Sequence, residues 1–88
     1  MKFIKVKSLS HLKKLVANKT GDFRMQLNGG VFSRKYISYY PDKKRFWITN
    51  CIDDSEQDLT EKDIMNEKET LIGKAIKYGA LWLEEVME

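Results

Sequence analysis

A thiol and an imidazole are the usual starting points of covalent chemistry, and this chain has one of each, Cys51 and His11. His11 falls in the first turn of an expected helix and Cys51 at the end of an expected strand. No third residue is placed to orient the imidazole, so the spacing gives a Cys/His pair no support. A lone cysteine is ordinarily a small buried hydrophobe, and a histidine beside an N-cap is ordinarily solvated. The acidic run Asp53-Asp54-Ser55-Glu56-Gln57-Asp58 alternates at Asp54, Glu56 and Asp58 like the opening of an EF-hand loop. That loop needs glycine at its sixth position and a bidentate glutamate at its twelfth, where Leu59 and Met65 stand. Acids before and within the first turns of two helices answer better to the helix dipole. Asn28-Gly29-Gly30 lacks the flanking pattern of a phosphate loop and suits a hairpin turn. The chain therefore reads as a non-enzyme, with no metal site and no cofactor.

Recognition chemistry is better represented. Three arginines, Arg24, Arg34 and Arg45, interleave with Tyr36, Tyr40 and Trp47 on one expected sheet face. Guanidinium groups beside flat rings suit two kinds of ligand: a protein surface, with the rings as anchors, or a single-stranded nucleic acid, with rings on bases and arginines on phosphates. Lys43 and Lys44 at a neighbouring turn would extend such a face. The ordinary alternative is that the acidic C-terminal segment folds over it, pairs with the arginines and buries the rings as a second core.

The elements that must position these residues follow from periodicity. Ile4 and Val6 alternate with Lys5 and Lys7, the period of a half-buried strand. Ser8 offers an N-cap, and Leu9, Leu12, Leu15 and Val16 recur at helical spacing up to an expected end near Thr20-Gly21. From Phe23 to Ile52 the pattern is that of a three-stranded meander, reversing at 28–30 and again at Pro41-Asp42-Lys43-Lys44. A four-residue second loop pairs Tyr40 with Arg45, Tyr39 with Phe46, Ser38 with Trp47, Ile37 with Ile48 and Tyr36 with Thr49. Ile37, Tyr39, Phe46 and Ile48 then share a core face, and the arginines and rings share the other. A three-residue first loop adds Phe23, Met25 and Leu27 to the core face, and Arg24, Gln26 and Phe32 to the outer one.

Thr60 has the credentials of an N-cap, with Asp63 three residues on and Leu59 and Ile64 as a hydrophobic staple, for a short helix from 61 to about 67. Thr70 is the expected cap of a last helix that Gly79 stops. Residues 80–86 are ambiguous between an edge strand and more helix; the alternation of Leu81 and Leu83 against Trp82 favours the strand. An apolar edge at Trp82 and Met87 would be suited to seeding a dimer. The expected fold is a single α+β domain over 1–88. Its antiparallel sheet, an N-terminal strand plus the meander, is packed by an N-terminal helix and two short C-terminal helices.

Charge is sorted along the chain. Residues 1–50 carry 12 Lys/Arg against 2 Asp/Glu and residues 51–88 carry 4 against 11, a division that the net charge of +3 hides. Such a chain either folds one half against the other or presents a dipolar surface to a partner. With 88 residues there is room for one core, and 42% hydrophobic content is ample for a folded domain. One cysteine excludes an internal disulfide, and no run resembles a signal or membrane segment, so a soluble cytoplasmic protein is expected.

The stretches Leu27-Asn28-Gly29-Gly30, Ser33-Arg34-Lys35-Tyr36-Ile37-Ser38-Tyr39 and Ile52-Asp53-Asp54-Ser55-Glu56-Gln57 with Leu59-Thr60 resemble a group of short proteins of bacterial and phage or prophage genomes. The resemblance covers residues 23 to about 83, including Ile72-Gly73-Lys74-Ala75-Ile76 and Gly79-Ala80-Leu81. It implies a mobile-element or accessory context and no activity or catalytic residue. The expectation is a small accessory module that docks on a protein partner through Arg24, Arg34, Tyr36, Tyr40, Arg45 and Trp47. Single-stranded nucleic acid on the same face is the second reading, and a homodimer joining the basic sheet of one copy to the acidic helices of another is the third.

Overall fold

Alternation of Ile4 and Val6 with lysines forms the first strand, β1 (Lys2–Lys5), in the computed structural model. The structure describes residues 2–27 and 31–85, with the backbone alone for Val31 and Phe32. Ser8 caps helix α1 (Leu9–Val16), its Oγ accepting the His11 N–H at 3.1 Å and satisfying one of the donors that a helix leaves open at its start. The helix stops well short of the expected Thr20-Gly21 boundary. Asn18 takes a left-handed φ of 57° and donates its N–H to the Tyr39 carbonyl at 2.9 Å, so the chain is already tied to the sheet.

Thr20-Gly21 instead open β2 (Thr20–Leu27), which pairs with β3 (Val31–Tyr40), and β3 pairs with β4 (Arg45–Asn50). The β3–β4 register is the one expected from the four-residue loop, residue for residue from Tyr36↔Thr49 to Tyr40↔Arg45. Leu27 lies opposite Val31, the three-residue spacing; the turn at 28–30 itself lies outside the described residues.

Two strands depart from expectation. The acidic lead-in folds as an edge strand, β5 (Glu56–Thr60), against β4. The last strand, β6 (Leu81–Glu85), is not at an edge: it sits between β1 and β2, and the described sheet has the order β1-β6-β2-β3-β4-β5, antiparallel throughout. Trp82 therefore belongs to the sheet interior rather than to a free apolar edge, and Met87 lies outside the described residues. The sheet expected with four strands, or five with the last, has six, because each edge of the β2–β3–β4 ladder pairs its open backbone with a strand of the acidic half.

Thr60 builds a capping box for α2 (Glu61–Ile64): its Oγ1 accepts the Asp63 N–H at 3.1 Å, and Asp63 Oδ2 accepts the Thr60 N–H at 3.4 Å. Leu59 and Ile64, the expected staple, are both buried. Helix α3 (Ile72–Lys77) has Leu71 at its N-cap, one residue beyond the expected Thr70, whose Oγ1 still accepts the N–H of Ile72, the first helical residue, at 3.3 Å. Gly79, at a φ of 67°, ends the segment.

Leu12 and Val16 of α1, Ile64 of α2, and Ile72, Ala75 and Ile76 of α3 meet Phe23, Met25, Ile37, Phe46, Ile48, Leu59 and Leu81 in one core. By register these strand residues share one face of the sheet, so the helices cover that face. Glu61 ties the layer together, its Oε1 accepting from Lys13 Nζ and from the Tyr39 hydroxyl, both at 2.7 Å. The hydrogen bond from Lys13, then that from Tyr39, holds the Glu61 carboxyl below its usual range. No helix among the described residues is long and apolar enough to cross a membrane.

Candidate interaction surface

Because side chains alternate across a strand, every core residue leaves a neighbour on the opposite face, and among the described residues no helix lies on that side. From β2 it receives Asp22, Arg24 and Gln26; from β3, Arg34, Tyr36, Ser38 and Tyr40; from β4, Arg45, Trp47 and Thr49. All six residues singled out in the sequence fall on this face. Tyr36 is 38% exposed, Tyr40 44% and Trp47 39%, so the rings are neither a second core nor fully free. The side chain of Phe32 lies outside the described residues.

Arg24 and Arg34 stand directly opposite each other in the β2–β3 ladder, a like-charge pair that would repel. Asp22, one pleat along on the same face, resolves it. Arg34 grips its carboxylate at both ends, Nε to Oδ1 at 3.1 Å and Nη2 to Oδ2 at 2.8 Å, while Arg24 Nη1 reaches Oδ1 at 2.5 Å. Arg24 Nη2 also meets Glu84 Oε2 at 2.5 Å. Desolvation pushes the Asp22 carboxyl up, but the hydrogen bonds from Arg34 and Arg24 outweigh it and hold the group below the usual carboxylate range. The same contact raises Arg34, whose guanidinium lies 5.4 Å from the centre of the Tyr36 ring and donates to the Tyr36 hydroxyl at 3.1 Å. Arg45 Nε donates to Asp58 Oδ1 at 2.7 Å.

The acidic half thus reaches the arginines without covering the rings. Glu84 and Asp58 arrive from β6 and β5 and lie beside the arginines in the plane of the sheet. Each of the three arginines has a carboxylate partner. Sequence reasoning missed Asp22, Glu84 and Asp58 as parts of this face. Asp22 was detectable, since it stands two residues before Arg24 and so on the same side of an extended strand.

A second cluster also went unread. Phe3, 48% exposed, and Trp82 line an open cavity of about 270 Å³ with Arg24 and Gln26, at the end of the face away from Trp47.

His11 closes the start of α1, its Nδ1 accepting the Lys7 N–H at 3.1 Å. Cys51 follows β4, its N–H donating to the Arg34 carbonyl at 3.0 Å. The acidic run divides by role: Asp53 closes a turn by accepting the Ser55 N–H, Glu56 and Asp58 join β5, and Glu61 and Asp63 open α2. Among the described residues no group of three or more His, Cys, Asp or Glu is placed to hold a metal ion. No family model matches this chain, and no curated protein or solved structure matches it either.

Proposed function

We propose that the chain is a non-enzymatic accessory module that docks on a protein partner through the helix-free face of its sheet. The observation that carries this reading is the state of that face, where half-exposed Tyr36, Tyr40 and Trp47 sit among arginines already matched by Asp22, Glu84 and Asp58. Rings in this state bury apolar area on contact, and matched arginines orient a partner without demanding a polyanion. The resemblance to short phage and prophage proteins supports an accessory role acting on a bacterial or phage-encoded protein. Trp47→Ala is the test: it should abolish partner capture while urea unfolding stays cooperative. Loss of the fold in that variant would make the ring structural and remove the proposal.

Single-stranded RNA or DNA on the same rings is the second reading, favoured by the arginine–tyrosine interleaving. It is disfavoured by the carboxylates, because an arriving phosphate must displace them from each arginine. A titration of Trp47 and Trp82 fluorescence with a mixed-sequence oligonucleotide separates the two readings. Saturable quenching that is lost in Trp47→Phe and weakens with salt would support nucleic acid, and a flat response would leave the protein partner.

A further inference from the structure

Six antiparallel strands leave a sheet whose two edges run in opposite directions. Among the described residues β1 pairs with β6 alone and β5 with β4 alone. The Val6 N–H meets the Leu81 carbonyl at 2.9 Å, which turns the backbone groups of Lys2 and Ile4 toward β6 and those of Phe3 and Lys5 outward. On the other edge, the Asn50 N–H meets the Ser55 carbonyl at 2.8 Å, which turns Gln57 and Leu59 inward and Glu56 and Asp58 outward.

The two edges are oppositely charged. β1 carries Lys2 and Lys5 without an acid, and β5 carries Glu56 and Asp58 without a base; Asp58 is already matched by Arg45 of β4, and Glu56 is in no ion pair among the described residues. Charge on an edge normally prevents strand addition. That protection holds here only between like edges, since joining β1 to β1 or β5 to β5 sets like charges together. Joining β1 to β5 sets opposite charges together.

We propose that copies of this chain associate head to tail, β1 of one adding antiparallel to β5 of the next, with Lys5 opposite Glu56 and Phe3 opposite Asp58, since the Thr60 N–H is already held by Asp63 in the α2 cap. A copy moved sideways across the sheet meets its neighbour with the strands antiparallel and with both helix-free faces on one side. The junction is heterologous, so it propagates in place of closing as a two-fold dimer. The inference stands independently of the docking reading, because it uses the edges and needs no outside partner.

Sedimentation of the full chain across a concentration series tests it. At low salt the weight-average mass should rise above the 10.4 kDa of one chain with concentration, and fall back toward it at high salt. Lys5→Glu or Glu56→Lys alone should stay monomeric, whereas an equimolar mixture of the two should associate, because both junctions then set opposite charges together. Lys5→Pro removes an outward N–H that the β1–β6 ladder does not use; it should also be monomeric, and it keeps the test decisive if a charge reversal fails to fold. A wild-type mass of one chain at every concentration, or variants that assemble as the wild type does, would overturn the proposal.

Discussion

Asp22 organises the helix-free face, because among the described residues it is the one carboxylate that both Arg24 and Arg34 reach. Removing its charge leaves two arginines opposed across neighbouring strands. Asp22→Asn should therefore cost about 1 kcal/mol in urea unfolding at neutral pH, a modest figure because the cluster is partly solvated. The acid dependence follows from the same contacts. A carboxyl whose folded pKa lies below its unfolded value of about 3.8 leaves the unfolded chain binding more protons in that window. Its stabilisation is present above that value and is lost as the pH falls through the folded pKa. The wild type should lose stability below about pH 4 with a steeper slope than Asp22→Asn, and equal slopes in acid unfolding curves would remove Asp22 from this role.

At the scale of elements, two short connections carry more than their length suggests. Helix α2 has four residues, too few to persist by its own hydrogen bonds, so its capping box and the Leu59–Ile64 staple hold it. Thr60→Ala should lower stability by about 1 kcal/mol, and Thr60→Ser should restore most of the loss. Gly73 permits α3 to meet the end of α2, since a Cβ there would stand 2.6 Å from the Met65 Cα and 3.0 Å from the Ile64 carbonyl oxygen. Gly73→Ala must push backbone apart and should cost about 1–3 kcal/mol in chemical denaturation. An unchanged midpoint would mean that the two helices separate freely.

Local signals explain which elements were legible. The β3–β4 register, the Ser8 cap and the Thr60 box are each written within a few residues, and the structure reproduces them. β5 was read as a lead-in because Glu56, Asp58 and their neighbours offer one buried side chain, Leu59, and no apolar alternation. Its extended state depends on the open edge of β4 and on Arg45 reaching Asp58. The alternation that made β6 a strand was readable, but its insertion between β1 and β2 joins the two ends of the chain, and no local pattern encodes that. The rings and arginines of the candidate face were legible through alternation, whereas Glu84 became visible only with that long-range pairing.

Over the whole molecule, the sorted charge of the sequence is resolved by interleaving. Strands of the acidic half, β6 and β5, flank the β2–β3–β4 meander of the basic half, and Lys13–Glu61, Arg24–Glu84 and Arg45–Asp58 join the two. One side of the sheet is spent on the core with the helices. The other is left with rings at two places and arginines already matched between them, which is the basis of the docking proposal. The measurement that bears on it most directly is quantitative affinity capture from a bacterial lysate by three proteins: the wild type, a Tyr40→Ala/Trp47→Ala variant, and a Leu71→Ala/Tyr78→Ala control. The control removes comparably exposed apolar groups from the start and end of α3. With all three shown to unfold cooperatively, the proposal predicts a species retained by the wild type and the control and lost by the sheet-face variant. Retention by the sheet-face variant, or loss in the control instead, would contradict it.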